Sequence, residues 1–155
     1  MLFFSLFIVL SIPQESRNLC LLLSSLSLPF ILLYPSAKRW FQYPQLILSI
    51  CWGFSVLIPW AASESSLAGG VTLVFCWLAT ILWTFGFDTV YAMADESEDK
   101  VIGLNSSAIS LGGKSLKTVS YCYFLTCFFL ALAAFKANLG LISVSYTHLT
   151  LPTTD

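Results

Sequence analysis

A run of acidic residues directly follows a long apolar stretch near the middle of the sequence. Residues 88–99 read DTVYAMADESED, while the preceding residues, 69–87, read GGVTLVFCWLATILWTFGF and carry no charge. The carboxylates of the acidic segment are Asp88, Asp95, Glu96, Glu98 and Asp99. A charge at membrane depth is costly and usually serves a function. We therefore expect the chemistry of this protein to be concentrated in residues 88–99.

The spacing of the three aspartates places them on one face if the apolar helix continues through the segment. At about 100° per residue, Asp95 lies at about −20° and Asp99 at about +20° relative to Asp88. On the same scale, Glu96 and Glu98 flank this face at about +80° and −80°. Like charges on one helix face repel each other, and they do so more strongly near surroundings of low dielectric constant. We therefore expect a cationic group against this face.

Carboxylates without histidine or cysteine neighbours favour a hard cation, and Mg²⁺ is the usual choice when phosphate oxygens and water complete the ligand set. Two carboxylates four residues apart on a helix can hold such an ion and leave coordination positions open, which a diphosphate could fill. The following segment, VIGLNSSAISLGGKSLK, supplies donors and cations suited to phosphate oxygens. These residues are Gly103, Asn105, Ser106, Ser107, Lys114 and Lys117.

Two other interpretations of the acidic segment stay open at this point. A DESEDK string just outside a membrane span is often a solvated loop, although that does not explain Asp88 inside the apolar run or the one-faced spacing. The second alternative is a non-enzymatic membrane protein in which Asp88 serves ion or proton passage, a known use of intramembrane carboxylates. It does not explain the spacing of Asp95 and Asp99.

Composition places the chain among integral membrane proteins. Its 155 residues are 57% hydrophobic, 15% aromatic and 10% charged, with a mean hydropathy of +0.84, whereas soluble domains carry roughly 25% charged residues. The net charge of −1 gives no basic field for nucleic acid. The five cysteines lie within apolar runs, so we interpret them as small hydrophobic residues rather than disulfides or metal ligands.

Several apolar runs are long enough, or nearly so, to cross about 30 Å of hydrocarbon, which takes about 20 residues. They are Leu19–Tyr34, Gln45–Ala62, Gly70–Phe87 and Val119–Phe135. A further run, Met1–Ile12, is too short by itself, and we interpret it as the tail of a helix whose beginning is missing. The connections between the runs are expected to be PQESRN, PSAKRWFQYP, SESSLAGG and the polar segment from Asp95 to Lys117.

The basic residues predict the orientation of the spans. Five of them share one side of the predicted topology, namely Lys38, Arg39, Lys100, Lys114 and Lys117, while Arg17 and Lys136 share the other. Because cytoplasmic loops carry the excess of Lys and Arg, the acidic segment is predicted to lie on the cytoplasmic side of a multi-pass membrane protein. The bilayer is therefore an expected partner, and nucleic acid is not.

The end of the chain differs from the rest. Residues 142–155 end in a Thr-rich polar string that resembles a translated sequencing adapter. We expect residues 1–141 to form the membrane domain and 142–155 to be a non-native or unstructured tail. His148 is therefore given no role.

Two stretches of the sequence resemble motifs of the UbiA superfamily of membrane aromatic prenyltransferases. FDTVYAMADESEDKVIGLNSSA is similar to that family's second aspartate-rich motif, approximately YDTxYAxxDxxDDxxIGxxSxA. The upstream YPSAKRWFQYPQLILSICWGF is similar to the loop and helix written YPxxKRxTxxPQxxLGxxFxxG. The two motifs occur in the family's order and separation, and DTVYAMAD resembles the 4-hydroxybenzoate polyprenyltransferases most.

The resemblance implies an all-α, polytopic helix bundle of about nine spans of about 20 residues each, of which this chain would supply about four to five. It further implies Mg²⁺-dependent transfer of a polyprenyl group from polyprenyl diphosphate to an aromatic acceptor such as 4-hydroxybenzoate, in quinone biosynthesis. By position, Asp88, Asp95, Asp99 and Tyr91 would be catalytic, with Asp95 and Asp99 nearest the metal. The implied substrate-binding residues are Lys38, Arg39, Asn105, Ser106 and Lys114.

The sequence also departs from the family pattern. Phe87 stands in place of Tyr, Glu98 in place of Asp, and Asn105 where many members carry Lys. The family's first motif, NDxxDxxxD, does not occur in this sequence, so we expect the chain to cover the middle of the family fold and to be inactive alone. Acceptor choice depends on cavity residues that no motif identifies, so a paralogue using another aromatic acceptor remains an alternative.

Overall fold

The computed structural model describes residues 11–139, and this part of the chain folds into helices without any β-strand. The helices are α1 (Gln14–Trp40), α2 (Pro44–Glu64), α3 (Gly70–Ala94), α4 (Glu96–Ile102), α5 (Ser107–Leu111) and α6 (Ser115–Lys136). A 3₁₀ turn, Gly112–Lys114, joins α5 to α6. The predicted all-α class is therefore confirmed.

Four helical segments are long and apolar enough to cross a membrane. They are α1, α2, α3 and the continuous stretch Ser107–Lys136, which contains α5 and α6. Many of their large apolar side chains point outward, as in Leu32, which is 76% exposed. Such a surface suits lipid tails rather than water. The described part of the chain is thus a bundle whose four longest helical segments have the length and composition of membrane spans, as the sequence predicts.

The observed helices are longer than the predicted spans, and two expected connections are wrong. Most of PQESRN forms the first turns of α1, and most of PSAKRWFQYP forms its last turns, so only residues 41–43 connect α1 to α2. Hydropathy detects the part of a helix inside hydrocarbon, whereas the helix itself continues into the polar interface. Lys38 and Arg39 lie in the last turn of α1, where positive charge interacts favourably with the helix dipole.

The polar segment from Asp95 to Lys117 is likewise more structured than a connection. It contains α4, α5, the 3₁₀ turn and the beginning of α6. Most of the expected Met1–Ile12 run and the entire tail at 142–155, with His148, lie outside the described residues.

The spans pack through small residues. Helix α1 packs on α2, α2 on α3, and α3 on α6. Ala61, Ala79 and Ala133 are buried at these contacts, and a Cβ atom added to Gly53 would lie 2.6 Å from Nε1 of Trp77. Membrane helices associate closely through such small residues. The close approach at Gly53 fixes how α2 and α3 face one another.

Short connections bring that end of the bundle together. The Asn105 N–H donates to the Lys38 carbonyl oxygen at 2.7 Å, and the Ser110 hydroxyl donates to the Gln42 carbonyl oxygen at 2.7 Å. The end of α1 and the start of α2 therefore lie beside the α4–α5 segment. Lys38 and the acidic segment are at the same end of the bundle, as the predicted topology requires.

Candidate functional site

The chain changes direction slightly at Asp95 while keeping the aspartates on one side. Helix α3 ends at Ala94 and α4 begins at Glu96, with Asp95 between them at φ −90° and ψ 1°. Hydrogen bonds continue across the break, since the Asp95 N–H donates to the Tyr91 carbonyl oxygen at 3.2 Å and the Asp99 N–H donates to the Asp95 carbonyl oxygen at 2.9 Å. The chain is therefore not one continuous helix here, but its helical sense is nearly preserved.

The three aspartates share one small cleft with residues from α1 and α2. Its volume is about 90 Å³. It is lined by Tyr34, Lys38, Gln45, Asp88, Tyr91, Ala92, Asp95 and Asp99. We call this space the aspartate cleft. Four of its residues, Asp88, Tyr91, Asp95 and Asp99, are those that the sequence marks as catalytic, and Lys38 is the cation expected against their face.

The size of the aspartate cleft limits what it can hold. A single water needs about 10–15 Å³ of such space, so about 90 Å³ has room for an ion with a few ligands. Pockets for larger organic ligands are usually about 300–1,000 Å³. The cleft therefore suits a cation and a phosphate oxygen, while a long apolar chain has to lie outside it.

Asp88 presents an unsatisfied oxygen in this setting. Its Oδ2 atom is fully buried and has no hydrogen-bond partner within the described part of the chain. An unpaired buried polar atom costs about 1–3 kcal/mol. A bound ion or water in the cleft can complete such an oxygen.

The charges in the cleft are unbalanced. Three carboxylates line it with one cation, Lys38, and over residues 11–139 no ion pair joins Lys38 to them. Like charges held close together in a partly buried site repel each other. The excess of carboxylates makes the cleft better suited to a cation than to an anion alone.

The donor set fits Mg²⁺ if the protein supplies only part of the coordination sphere and other ligands complete it. In the described part of the chain, no three His, Cys, Asp or Glu side chains are close enough to hold one ion together. Mg²⁺ is normally bound through one or two carboxylates, with substrate phosphates and water completing the octahedron. Asp95 and Asp99, four residues apart and both lining the cleft, are a pair of carboxylates of that kind.

The glutamates of the segment point away from the cleft. Glu96 forms an ion pair with Lys100 on the surface of α4, with Oε1 of Glu96 2.6 Å from Nζ of Lys100. Glu98 lies on an outer groove with Val101 and Ile102. These positions agree with the flanking angles that the sequence predicts.

A buried hydrogen-bond network fixes the segment that follows α4. Gly103, at φ +75°, ends the helix in a left-handed conformation that glycine adopts without strain. The Ser107 N–H then donates to Gln45 Oε1 at 2.8 Å, and the Ser107 hydroxyl lies 2.8 Å from Thr89 Oγ1. Because the Thr89 hydroxyl donates to the Phe85 carbonyl oxygen, the Ser107 hydroxyl is the donor to Thr89. The segment is thereby tied to both α2 and α3.

Of the five residues that the resemblance marks as substrate-binding, the four other than Lys38 do not line the aspartate cleft. Ser106 is fully buried, and its hydroxyl accepts the Ile109 N–H at 3.3 Å as the N-cap of α5. Asn105 contributes its backbone N–H to Lys38. Lys114 is exposed in the 3₁₀ turn, and Arg39 is exposed at the end of α1. Their contacts with a substrate stay predictions.

Two residues that line the cleft, Tyr34 and Gln45, are not among the site residues predicted from the sequence. Both lie within the stretch YPSAKRWFQYPQ, which belongs to the upstream of the two family-like motifs. Their position in a family-like motif is the one indication in the sequence that Tyr34 and Gln45 belong to the site. Only the packing of α1 and α2 against α3 shows that they line the same cleft as the aspartates.

An aromatic row runs along α3 to the aspartate cleft. Trp83 stacks on Phe87 with ring centroids 5.1 Å apart, and Phe87 contacts Tyr91 at 4.8 Å. All three rings are exposed on the surface of the described bundle. Tyr91 also lines the cleft, so an apolar path along α3 ends where the carboxylates begin.

Comparison with known proteins bears on what this cleft does. The family model described as the UbiA prenyltransferase family matches residues 1–153. A 4-hydroxybenzoate solanesyltransferase of Synechocystis sp. is 49% identical over 100 residues, which are 64% of this chain and 34% of that protein. A 4-hydroxybenzoate octaprenyltransferase of Francisella tularensis subsp. novicida is 38% identical over 106 residues, 68% of this chain and 37% of that protein.

A 4-hydroxybenzoate octaprenyltransferase of Pseudomonas aeruginosa is 37% identical over 109 residues, which are 70% of this chain and 36% of that protein. The chain thus spans about a third of the length of the curated relatives that it matches. No solved structure matches it significantly.

Proposed function

The chain belongs to the UbiA prenyltransferase family, and we propose that it supplies the second aspartate motif to an enzyme that transfers a polyprenyl group from its diphosphate to an aromatic acceptor. The observation that carries this proposal is the aspartate cleft, in which three carboxylates of the motif meet Lys38. The names of the curated relatives support 4-hydroxybenzoate as the acceptor and quinone biosynthesis as the pathway.

We assign the binding of Mg²⁺ to Asp95 and Asp99, with Asp88 adjacent to them. When bound, Mg²⁺ would withdraw charge from the diphosphate and make it a better leaving group. The carboxylates themselves offset the charge of the ion and hold it at the end of the apolar path along α3. The diphosphate would thereby lie where the allylic carbon of the attached prenyl group is in an apolar environment.

Lys38 is assigned to a diphosphate oxygen. It is the cation of the cleft, and it makes no ion pair with the carboxylates there. A cationic donor to a phosphate oxygen stabilises the negative charge that develops as the allylic C–O bond breaks. Arg39, Asn105, Ser106 and Lys114 remain proposed substrate-binding residues from the family pattern, at the same end of the bundle.

The apolar surroundings serve the carbon chemistry. After the C–O bond breaks, the ring carbon next to the phenol hydroxyl of the acceptor bonds to the resulting allylic cation, and that ring carbon then gives up its proton to the released diphosphate. Water would capture the allylic cation, so its exclusion is necessary. The row of Trp83, Phe87 and Tyr91 offers the prenyl chain an apolar contact that leads to the cleft.

We place the aspartate cleft on the cytoplasmic side. Lys38, Arg39, Lys100, Lys114 and Lys117 lie in elements at the same end of the described bundle. That excess of basic residues supports the cytoplasmic assignment.

A matched ligand experiment tests the proposed function. With the purified chain in detergent, Mg²⁺ together with a prenyl diphosphate should raise the midpoint of thermal unfolding by about 5 °C or more at saturation. EDTA should remove this shift, because the carboxylates of the cleft repel the diphosphate without a cation. The prenyl alcohol of equal chain length controls for insertion of an apolar chain into the micelle.

If the protein instead serves ion or proton passage, diphosphate should have no effect on its stability. The unpaired Oδ2 of Asp88 is also what a carboxylate for ion or proton passage would show. If the diphosphate has no effect with or without Mg²⁺, while liposomes containing the chain pass protons and those with Asp88→Asn do not, the prenyltransferase proposal is wrong.

A further inference from the structure

Gln45 is a buried polar residue of the aspartate cleft with part of its hydrogen-bonding capacity unused. It is the second residue of α2, after Pro44 at the helix start, and only 3% of it is exposed. Its side chain nevertheless lines the cleft beside the three aspartates. A glutamine amide has one acceptor oxygen and two donor hydrogens that need partners.

The partner of the amide oxygen determines the orientation of the side chain. Oε1 accepts the backbone N–H of Ser107 at 2.8 Å. A backbone N–H can only donate, so the amide nitrogen of Gln45 cannot occupy that position. Ser107 is in turn held by Thr89. The orientation of the Gln45 amide is therefore fixed by its contact to the backbone of α5, and the Thr89 contact acts only on the Ser107 side chain.

The amide nitrogen of Gln45 has no hydrogen-bond partner among the described residues, and the cleft is the open space that Gln45 lines. Across residues 11–139, no hydrogen bond involves Nε2 of Gln45, and Nε2 is not among the fully buried unpaired atoms. It must therefore reach open space, and the space that Gln45 borders is the aspartate cleft. A side chain of similar length without the amide would fill the same volume and leave no donor unpaired.

We infer that Gln45 is a substrate-binding residue that donates from Nε2 to a diphosphate oxygen beside the cation held by the aspartates. This inference rests on the proposed function. The carboxylates attract the cation. A diphosphate that coordinates the same cation brings acceptor oxygens within reach of the cleft wall. The amide supplies a donor for such an oxygen.

A neutral donor also suits the charges of the cleft. A further lysine or arginine would compete with the divalent cation for the carboxylates, and an acidic residue would repel the diphosphate. An amide binds the anion without changing the charge that holds the cation. Gln45 should therefore affect diphosphate affinity while leaving Mg²⁺ affinity nearly unchanged.

Three variants of the full chain separate this role from a structural one. Gln45→Glu keeps an acceptor for the Ser107 N–H and replaces the amide donor with a carboxyl group, which beside the bound cation at about pH 8 is an anion. Gln45→Met removes donor and acceptor with little change in length. Thr89→Val leaves Gln45 intact and removes the acceptor for the Ser107 hydroxyl, so it is the matched control for the network.

The affinities to measure are those for Mg²⁺ alone and for inorganic diphosphate with Mg²⁺, by calorimetry in detergent. We expect diphosphate affinity to fall about tenfold in Gln45→Met, because a donor to a charged group is lost. It should fall about a hundredfold in Gln45→Glu, because the new carboxylate also repels the diphosphate. Mg²⁺ affinity should stay within about threefold of the original in Gln45→Met and should not fall in Gln45→Glu. Thr89→Val should lower the unfolding temperature without changing diphosphate affinity.

The opposite order of variants would overturn the inference. If Gln45→Glu binds diphosphate as the original chain does, while Gln45→Met and Thr89→Val weaken it together, Gln45 only supports the fold. Loss of 4-hydroxybenzoate affinity instead of diphosphate affinity would contradict the assignment to diphosphate. If the original chain itself binds no diphosphate with Mg²⁺, both the inference and the proposed function fail.

Discussion

Replacing Asp99 or Asp95 with asparagine should lower the affinity of the chain for diphosphate with Mg²⁺ by at least about a hundredfold, as expected when one of the two carboxylates assigned to the ion is removed. Asparagine keeps the size of the side chain and removes its charge. Asp99 is buried in the cleft, so solvent cannot replace its contribution. Calorimetry with inorganic diphosphate and Mg²⁺ measures the effect.

Glu98→Gln is the matched control for Asp99→Asn. Glu98 precedes Asp99 on α4, and its loss changes the net charge by the same amount. Its side chain lies on the outer groove with Val101 and Ile102, away from the cleft. We expect less than about a threefold change in affinity, since exposed charges interact weakly. Equal losses in Glu98→Gln and Asp99→Asn would mean that only the general charge of α4 matters.

Lys38→Gln should produce the second large effect, a loss of diphosphate affinity of about tenfold to a hundredfold, the range for removing a charged donor. Lys38 is the cation that lines the cleft, and it lies beside carboxylates that repel the diphosphate. Affinity for Mg²⁺ alone should rise or stay the same, because a competing positive charge is gone. Opposite directions for the two ligands distinguish this from a general loss of structure.

Lys100→Gln controls for the loss of one positive charge at the same end of the bundle. Lys100 pairs with Glu96 on the surface of α4 at 2.6 Å and does not line the cleft. We expect little change in either affinity. If Lys100→Gln weakens diphosphate binding as much as Lys38→Gln, Lys38 acts only through the overall field and not by contact.

The grouping of the aspartates could be predicted from the sequence because it depends on local geometry. Asp88, Asp95 and Asp99 are close in the chain, and the interruption at Asp95 is small enough that helical spacing still describes them. The outward positions of Glu96 and Glu98 follow from the same rule. Interactions between near neighbours are therefore well described by helical periodicity.

The helix ends were harder to predict for a physical reason. Gln14–Asn18 and Pro35–Trp40 are helical, although their polar residues and Pro35 suggest connections. A membrane helix satisfies its own backbone hydrogen bonds and can continue into the polar interface. Hydropathy shows where the hydrocarbon ends, not where the hydrogen bonding ends.

The role of Gln45 could not be predicted from its neighbours in the sequence. Its partner, Ser107, is 62 positions away, and only the packing of α2 against α3 and the α4–α5 segment brings the two together. Ser106 shows the reverse problem. A serine in this polar segment suggests a phosphate donor, but its hydroxyl accepts the Ile109 N–H of its own helix. Distant partners and local caps both require the three-dimensional structure.

The most direct test of the account is electron paramagnetic resonance of Mn²⁺, used in place of Mg²⁺, bound to the chain together with inorganic diphosphate. We predict a protein-bound Mn²⁺ signal with hyperfine coupling to phosphorus, and its loss in both Asp95→Asn and Asp99→Asn but not in Glu98→Gln. Mn²⁺ that stays fully hydrated in the presence of the chain, or that binds equally well to the Asp95→Asn and Asp99→Asn variants, would contradict the assignment of the aspartate cleft.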